Sequence, residues 1–122
     1  MLDLSIGIDI VSIERMENIL NSQKGDRFKH RIFTVPEISY CQNRANSSHH
    51  FAGRFAAKEA VKKALLASGE ENIPLSGIEI IRQDNGPPEV FLHLDLKRFY
   101  HCQVSISHTD SLATAVAMVM PQ

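Results

Sequence analysis

The sequence predicts an α+β protein in which helices pack on one side of a mainly antiparallel sheet. Three patterns support this class. Apolar and polar residues alternate through residues 4–10, apolar residues recur with helical spacing through residues 54–65, and strand-like alternation returns after Ile78. Strands therefore lie at both ends of a helical region, and tight reversals between the later strands favour antiparallel pairing.

The length and composition are those of an ordinary globular chain. With 122 residues, 43% of them hydrophobic and a formal net charge of −1, we expect a single domain over residues 1–122. The charge balance argues against a nucleic-acid partner, and no apolar run or leader suggests membrane insertion or secretion. Cys41 and Cys102 form no disulfide or metal-ligand motif, which fits a reducing cytoplasm.

The first predicted strand alternates apolar residues with smaller or polar ones, the apolar positions being Leu4, Ile6, Ile8 and Ile10. A half-buried strand turns one set of side chains to the core, so Asp9 is expected on the polar face. Ser12 is a suitable N-cap for a helix that continues until Gly25 interrupts its pattern. Asp9 thus lies at a strand-to-helix junction, where a lone carboxylate is more often simply solvated or part of the turn.

The first third of the chain is basic, with cations at Arg15, Lys24, Arg27, Lys29, His30 and Arg31, whereas acidic residues dominate between residues 70 and 89. This asymmetry indicates either an acidic partner or a solvated helix face that Glu14 and Glu17 partly neutralise. A second helix is predicted from Pro36 to Asn43, followed by a polar loop to residue 50.

The central helix is predicted from about His49 to Ala67, and Gly69 is a suitable stop. Its buried stripe consists of Ala57, Ala60, Val61, Ala64 and Leu65. Glu59 and Lys63 lie together on the opposite side. Taken alone, this spacing describes a solvated ion pair that contributes roughly 0.3–0.5 kcal/mol.

Four further strand segments are predicted after this helix. Ile78 to Ile81 and Val90 to Leu94 form a hairpin around Asn85 and Gly86. Residues 104–107 and 112–120 are strands separated by a turn at residues 108–110.

Three separated motifs now combine: GIDIV at residues 7–11, FAGRFAAKEAVKK at 51–63 and VSISHT at 104–109. In this order and spacing the chain closely resembles the holo-acyl-carrier-protein synthases, the short class of 4'-phosphopantetheinyl transferases. The resemblance extends from the first strand to Met120 and is weakest at residues 67–76. It implies a 4'-phosphopantetheinyl transferase-like fold.

The resemblance also implies a reaction. The family transfers the phosphopantetheine arm of coenzyme A to a serine of apo acyl carrier protein and releases adenosine 3',5'-bisphosphate. Asp9 and Glu59 correspond to magnesium ligands, and Lys63 to the cation beside the scissile pyrophosphate. This is chemically reasonable, because magnesium takes one or two carboxylates with phosphate oxygens, and phosphoryl transfer needs mainly positioning and charge stabilisation. The serine proton could pass to a water held at this site or directly to a carboxylate.

Arg54, His108 and Thr109 resemble residues that the family places around the 3'-phosphate of coenzyme A. A single turn histidine is more often not a ligand, and the VSISHT context raises that expectation for His108. The hairpin at Asn85 and Gly86 matches one near the nucleotide, although a turn explains it equally well. Lys58 and Lys62 lie on other sides of the helix and receive no catalytic role.

The basic first third also gains a role from the resemblance, as a docking surface for the acidic carrier protein. The matching positions are Arg15, Met16, Arg27, Phe28 and Arg31. Such a patch raises the association rate and is sensitive to salt. Family members of this length assemble as homotrimers with active sites between subunits, so His108 of one chain is expected to meet Asp9, Glu59 and Lys63 of its neighbour.

One departure from the family follows the central helix, where residues 65–69 read LLASG in place of a Gly-Thr-Gly-like turn. Two other functions compete with the enzyme interpretation. A coenzyme A-binding or carrier-binding module without catalysis would share most of these residues, but the retention of Asp9, Glu59 and Lys63 argues against it. A scaffold protein would require three coincidental motifs. The resemblance leaves open whether the carrier belongs to a fatty-acid, polyketide or peptide synthase.

Overall fold

A computed structural model describes residues 3–83 and 85–122. Within these residues the elements are β1 (Ser5–Ser12), α1 (Ile13–Leu20), α2 (Gly25–Ile32), α3 (Val35–Gln42), α4 (Ser47–Ala67), a 3-10 turn (Leu75–Gly77), β2 (Ile78–Arg82), β3 (Pro88–Leu92), β4 (Tyr100–His108) and β5 (Leu112–Pro121). All the predicted helices and strands are present. Two differences stand out. The helix expected to continue to Gly25 ends at Leu20, and a separate helix that the sequence did not predict, α2, begins at Gly25. In addition, β4 begins at Tyr100 instead of residue 104.

The strands form two antiparallel sheets. In one, the order is β1-β5-β4, with Gly7 opposite Ala117 and Asp9 opposite Ala115. In the other, β2 and β3 form the predicted hairpin, with Ile80 opposite Val90. With helices packed against antiparallel strands, the predicted fold class is confirmed.

Helix α4 packs across the three-stranded sheet through small side chains. The predicted stripe is confirmed, because Ala57, Ala60, Val61, Ala64 and Leu65 are all fully buried. The facing surface of β5 is also small, with buried side chains at Ala113, Ala115, Ala117 and Val119. Gly7 of β1 permits the closest approach, since a Cβ atom there would lie 1.9 Å from the Ala60 carbonyl oxygen.

The orientation predicted for β1 is wrong. Ile6, Ile8 and Ile10 are 59%, 64% and 63% exposed, whereas Gly7 is buried and Asp9 is half-buried on the face toward α4. The reason is the close helix contact at Gly7: only the set of residues that includes this glycine can face the α4 backbone, and Asp9 belongs to that set.

Helices α1 and α3 begin at side-chain caps, and α4 ends close to a glycine. Ser12 accepts a hydrogen bond from the Arg15 N–H at the start of α1, as predicted. Thr34 and Glu37 form a capping box at α3. Gly69, with φ +98°, follows α4, and the N–H groups of Gly69 and Glu70 bond the Leu66 and Leu65 carbonyls.

A buried ion pair joins α3 to α4. Glu37 and Lys58 are both fully buried, and the Lys58 Nζ lies 2.7 Å from Glu37 Oε1. Both groups also make hydrogen bonds to the backbone. Lys58 donates to the carbonyls of Leu75 and Ile78, and Glu37 Oε2 accepts the N–H of Ile80 at 2.8 Å. The pair therefore connects two helices to the hairpin.

No helix in the described ranges has the length and apolarity needed to cross a membrane.

Candidate active site

Asp9 and Glu59 line one cleft, where β1 and α4 meet α1. We call this the carboxylate cleft; its volume is about 260 Å³, and its lining includes Asp9, Arg15, Met16, Phe28, Phe55 and Glu59. The turn of α4 that buries Ala60 and Val61 in the core holds Glu59 at the cleft. Two elements distant in sequence thus bring two carboxylates to a single concave surface.

Lys63 is held at Asp9, not at Glu59. Its Nζ lies 3.1 Å from Asp9 Oδ1 and donates to the Ile8 carbonyl at 2.9 Å. Within residues 3–83 and 85–122 no ion pair joins Glu59 to Lys63, so the solvated helix pair that their spacing suggests does not form. The Asp9 side chain is 18% exposed and that of Lys63 is 52% exposed. Glu59 consequently keeps its carboxylate available to a ligand in the cleft.

The predicted docking residues surround this cleft unequally. Arg15 is exposed at its edge, and Phe28 is half-buried in its wall. Met16 is 2% exposed and belongs to a core cluster with Ile13, so it forms the floor of the cleft. Arg27 and Arg31 are exposed on α2, outside the lining of the cleft.

Arg54 and His108 meet in a second cleft of about 260 Å³ between α4, β4 and the β2–β3 hairpin. We call it the histidine cleft; its lining includes His49, His50, Arg54, Arg82, Ile106 and His108. Gly53 allows the helix to approach β4 here, since a Cβ atom at this position would lie 3.1 Å from Ile106 Cγ2. The close approach places the histidines of α4 beside His108, and the His49 and His108 ring centroids are 5.5 Å apart.

Arg54 is the most buried cation of the histidine cleft. It is 5% exposed, its Cζ lies 4.0 Å from the centre of the Tyr40 ring, and its Nε has no hydrogen-bond partner among the described residues. Arg44 lies 4.2 Å from the same ring. Burial favours the neutral phenol of Tyr40, but the two guanidinium groups outweigh it and lower the pKa of Tyr40. This clustering of positive charge favours an anionic ligand.

Thr109 lies in the turn that follows His108 and is not among the residues that line the histidine cleft. Its hydroxyl oxygen accepts the N–H groups of Ser111 and Leu112, at 3.2 and 3.1 Å, which shapes the turn between β4 and β5. The same oxygen lies 3.5 Å from the Ser111 hydroxyl oxygen, and either hydroxyl can be the donor, so these contacts of Thr109 all lie within the turn.

Sequence reasoning missed three residues of the histidine cleft: His49, His50 and Arg82. For His50 a signal was present, because it lies four residues before Arg54 and shares a helix face with it. His49 and Arg82 had no comparable signal. Arg82 closes the hairpin by donating from Nε to the Gly86 carbonyl at 2.9 Å, and the position of that hairpin depends on tertiary packing.

The sequence model of the 4'-phosphopantetheinyl transferase superfamily matches residues 5–117. The chain is 42% identical to the holo-[acyl-carrier-protein] synthase of Protochlamydia amoebophila, covering 94% of this chain and 96% of that protein. It is 37% identical to the synthase of Fusobacterium nucleatum, with coverage of 96% and 98%.

Among solved structures, the holo-(acyl-carrier-protein) synthase from Bacillus anthracis in complex with CoA (3',5'-ADP) superimposes with a TM-score of 0.79 at 30% identity, covering 97% of this chain and 96% of that one. This chain therefore belongs to the 4'-phosphopantetheinyl transferase superfamily. The predicted family, transferase class and fold are confirmed.

Proposed function

We propose that this protein transfers the 4'-phosphopantetheine arm of coenzyme A to a serine of apo acyl carrier protein. The observation that carries the proposal is the convergence of Asp9 and Glu59 on one cleft, with Lys63 bound to Asp9, in a member of this superfamily. The serine oxygen forms a new bond to the phosphorus of the phosphopantetheine arm. The bond that joins this phosphorus to adenosine 3',5'-bisphosphate breaks, and adenosine 3',5'-bisphosphate leaves. Asp9 and Glu59 are positioned to accept the serine proton, directly or through a water.

The donor set of the carboxylate cleft fits magnesium. Mg²⁺ prefers hard oxygen ligands and commonly takes one or two carboxylates, with phosphate oxygens and waters completing its shell. Asp9 and Glu59 provide two such groups, and within the described residues no third acidic, histidine or cysteine side chain joins them in a metal-like cluster. A bound Mg²⁺ would supply charge neutralisation on the pyrophosphate.

Lys63 supplies positive charge to the leaving group in this proposal. Its ammonium is half-exposed and tethered to Asp9 and the Ile8 carbonyl, so it occupies a defined position with donor capacity remaining. An ammonium group interacts as a point charge with phosphate oxygens, and phosphoryl transfer depends on such electrostatic stabilisation.

Coenzyme A would reach from the carboxylate cleft to the histidine cleft. The latter offers Arg54 and His108 to the 3'-phosphate, with Thr109 in the turn that follows His108. The two clefts share none of their described lining residues, so each chain presents the two halves of the proposed site on separate surfaces. A site built between subunits would join the carboxylate cleft of one chain to the histidine cleft of its neighbour.

A homotrimer is part of the proposal. The sheet face opposite α4 exposes a contiguous set of apolar side chains: Ile6, Ile8, Ile10, Val116, Met118 and Met120. Soluble proteins seldom leave such a surface in contact with water, and an interface between copies would cover it. We call it the exposed sheet face.

The carrier protein would dock at the edge of the carboxylate cleft. Arg15 on α1 and Arg27 and Arg31 on α2 carry the positive charge that would attract an acidic partner. Phe28 adds apolar surface at the wall of the cleft, whereas Met16, being buried, supports the cleft from below and does not itself meet the carrier. A cytoplasmic location is also proposed, in line with two cysteines that remain unpaired thiols.

Mass spectrometry tests the proposed function directly. Several apo acyl carrier proteins are incubated with the protein, coenzyme A and magnesium, and a carrier mass increase equal to one phosphopantetheine arm is expected. If no carrier gains this mass, the transferase proposal fails. Retained binding of coenzyme A under those conditions would then favour the non-catalytic binding module.

A further inference from the structure

The histidine cleft contains more histidine side chains than the proposed contacts to coenzyme A require. His49 and His50 line it in addition to His108, and no carboxylate is found among its described lining residues. A histidine titrates near neutral pH and can be neutral or cationic according to the ligand beside it. The cleft therefore has the means to adjust its charge to its ligand.

His49 is incompletely satisfied in the ligand-free chain. Its Nδ1 is buried without a hydrogen-bond partner in the part of the chain that the structure describes, as is the Nε of neighbouring Arg54. A buried polar atom left without a partner costs about 1–3 kcal/mol. An oxygen of an anion bound in the cleft would supply such a partner, because His49 lines the cleft and its ring packs in a T-shaped arrangement with that of His108.

Among residues 3–83 and 85–122, the charged and titratable groups that contact the three imidazoles or line their cleft are Tyr40 and Arg44 from α3 and the loop after it, Arg54 from α4, and Arg82 from β2. All but Tyr40 are cations that oppose protonation of a histidine. Burial, followed by the charges of Arg54 and Arg44, lowers the pKa of His50. A bound dianion would reverse the local field and favour protonated imidazole.

We infer that His49 is a further ligand-binding residue of the histidine cleft, and that together with His108 it takes up a proton when a phosphomonoester dianion binds. The inference rests on the proposed function, because the phosphomonoester there is the 3'-phosphate of coenzyme A. It adds a specificity determinant that distinguishes a terminal phosphate from a hydroxyl group.

The inference predicts a pH-dependent affinity. Uptake of one proton on binding strengthens the affinity by up to about tenfold for each unit by which the pH falls toward the histidine range. Below about pH 6 the phosphomonoester itself becomes protonated, which opposes further tightening. Dephospho-coenzyme A, which lacks the 3'-phosphate, should bind more weakly and without this dependence.

Calorimetric titration of the full chain provides the test. Coenzyme A and dephospho-coenzyme A are titrated without carrier protein between about pH 6.5 and 8.5, in two buffers of different ionisation enthalpy, which gives the number of protons taken up. The variants are His49→Gln, His49→Arg and, as a control, His30→Gln on the exposed surface of α2.

We expect His49→Gln to weaken coenzyme A binding by about tenfold at neutral pH and to reduce proton uptake, without affecting dephospho-coenzyme A. His49→Arg should retain the affinity and show a weaker pH dependence, because its own charge is permanent and only His108 can still take up a proton. His30→Gln should resemble the parent.

Equal proton uptake and an equal preference for coenzyme A in the parent and in His49→Gln would overturn the inference, while leaving a transferase that still modifies its carrier. Absence of coenzyme A binding by the parent at every pH would overturn the inference and the proposed function together.

Discussion

Asp9 is fixed through both its backbone and its side chain. Thr114 on β5 donates its hydroxyl hydrogen to the Asp9 carbonyl at 2.8 Å, while Lys63 contacts Asp9 Oδ1. Glu59 has no comparable tether among the described residues, so it is the less constrained of the two carboxylates. A ligand in the carboxylate cleft would therefore meet one oriented group and one adaptable group.

Replacing Glu59 tests its proposed role as a magnesium ligand. Glu59→Gln should lower kcat by at least about 10²–10³-fold and leave the fold intact, since the side chain is only half-buried and its volume is kept. Steady-state transfer assays over a range of magnesium concentrations, with circular dichroism to monitor folding, measure both. Glu14→Gln, in the exposed first turn of α1, is the control. Near-normal turnover of Glu59→Gln at low magnesium would contradict the assignment.

The environment of the Glu70 carboxylate allows us to predict how the free energy of unfolding depends on pH. It is 4% exposed and accepts the Lys97 N–H at 3.0 and 3.1 Å and the Tyr100 O–H at 2.7 Å. Burial opposes ionisation, but these donors outweigh it and lower the pKa of Glu70 below its ordinary value of 4.5. The ionised group therefore stabilises the fold above that pH, and this contribution is lost as the pH falls through the lowered folded-state pKa.

Urea unfolding at several pH values checks this expectation. Glu70→Gln should lose stability at neutral pH and show a smaller further loss between about pH 6 and 3 than the parent. Glu71→Gln offers a matched control, because the adjacent residue is exposed. If Glu70→Gln keeps the slope of the parent, the carboxylate does not contribute as described.

Among the elements, α4 connects every part of the proposed site. Its residues Glu59 and Lys63 act at the carboxylate cleft, while His49 and Arg54 line the histidine cleft. The rotation of this helix must therefore be well defined. The small residues against the sheet and the buried Glu37–Lys58 pair both restrict it.

Because Lys58 belongs to the buried pair and Lys62 does not, substitutions at these two lysines of α4 should change the free energy of unfolding by very different amounts. Lys58→Met leaves the Glu37 carboxylate buried without its cation, so the free energy of unfolding should fall by about 3–5 kcal/mol. Lys62→Met, at a partly exposed position of the same helix, should change it by about 0.5 kcal/mol or less. Denaturant titrations compare the two variants. A loss below about 1 kcal/mol for Lys58→Met would show that the pair is not needed to hold α4.

From the exposed arginines of α1 and α2 we predict that the carrier is recruited by long-range charge. Arg15→Glu and Arg27→Glu should each raise the KM for the carrier by about three- to tenfold, with a smaller effect at high salt, because both side chains are exposed and interact through long-range charge. Arg98→Glu, on the connection between β3 and β4, controls for the change of net charge. If only the KM for coenzyme A rises, the docking surface is misplaced.

For the whole molecule, the exposed sheet face predicts assembly. Ile8, which is 64% exposed, lies at the centre of this face, and Ile8→Arg would place a charge in the proposed interface. Analytical ultracentrifugation should find a trimer for the parent and smaller species for the variant, with transfer activity lost in parallel. Phe99→Arg, at an 82% exposed position outside this face, should remain trimeric. A monomeric, active parent would exclude the shared site.

Mixing inactive variants tests whether the site is shared between chains. Glu59→Gln and His108→Ala proteins are dissociated, combined and reassembled. In mixed trimers some junctions join an intact carboxylate cleft to an intact histidine cleft, so part of the activity should return. Each variant reassembled alone controls for carry-over. If the mixture stays inactive although mixed trimers form, both clefts act within one chain.

The sequence by itself determined the strands, the helices other than α2, the buried stripe of α4 and the three motifs of the family, because periodicity, capping residues and motif spacing are local properties. Only the tertiary structure decided which face of β1 is buried. Alternation in β1 is equally compatible with either orientation, and the choice followed from the close approach of α4 at Gly7. The same packing turned Lys63 toward Asp9 and brought His49 and Arg82 into one cleft, since contacts between residues distant in sequence exist only once the helix lies on the sheet.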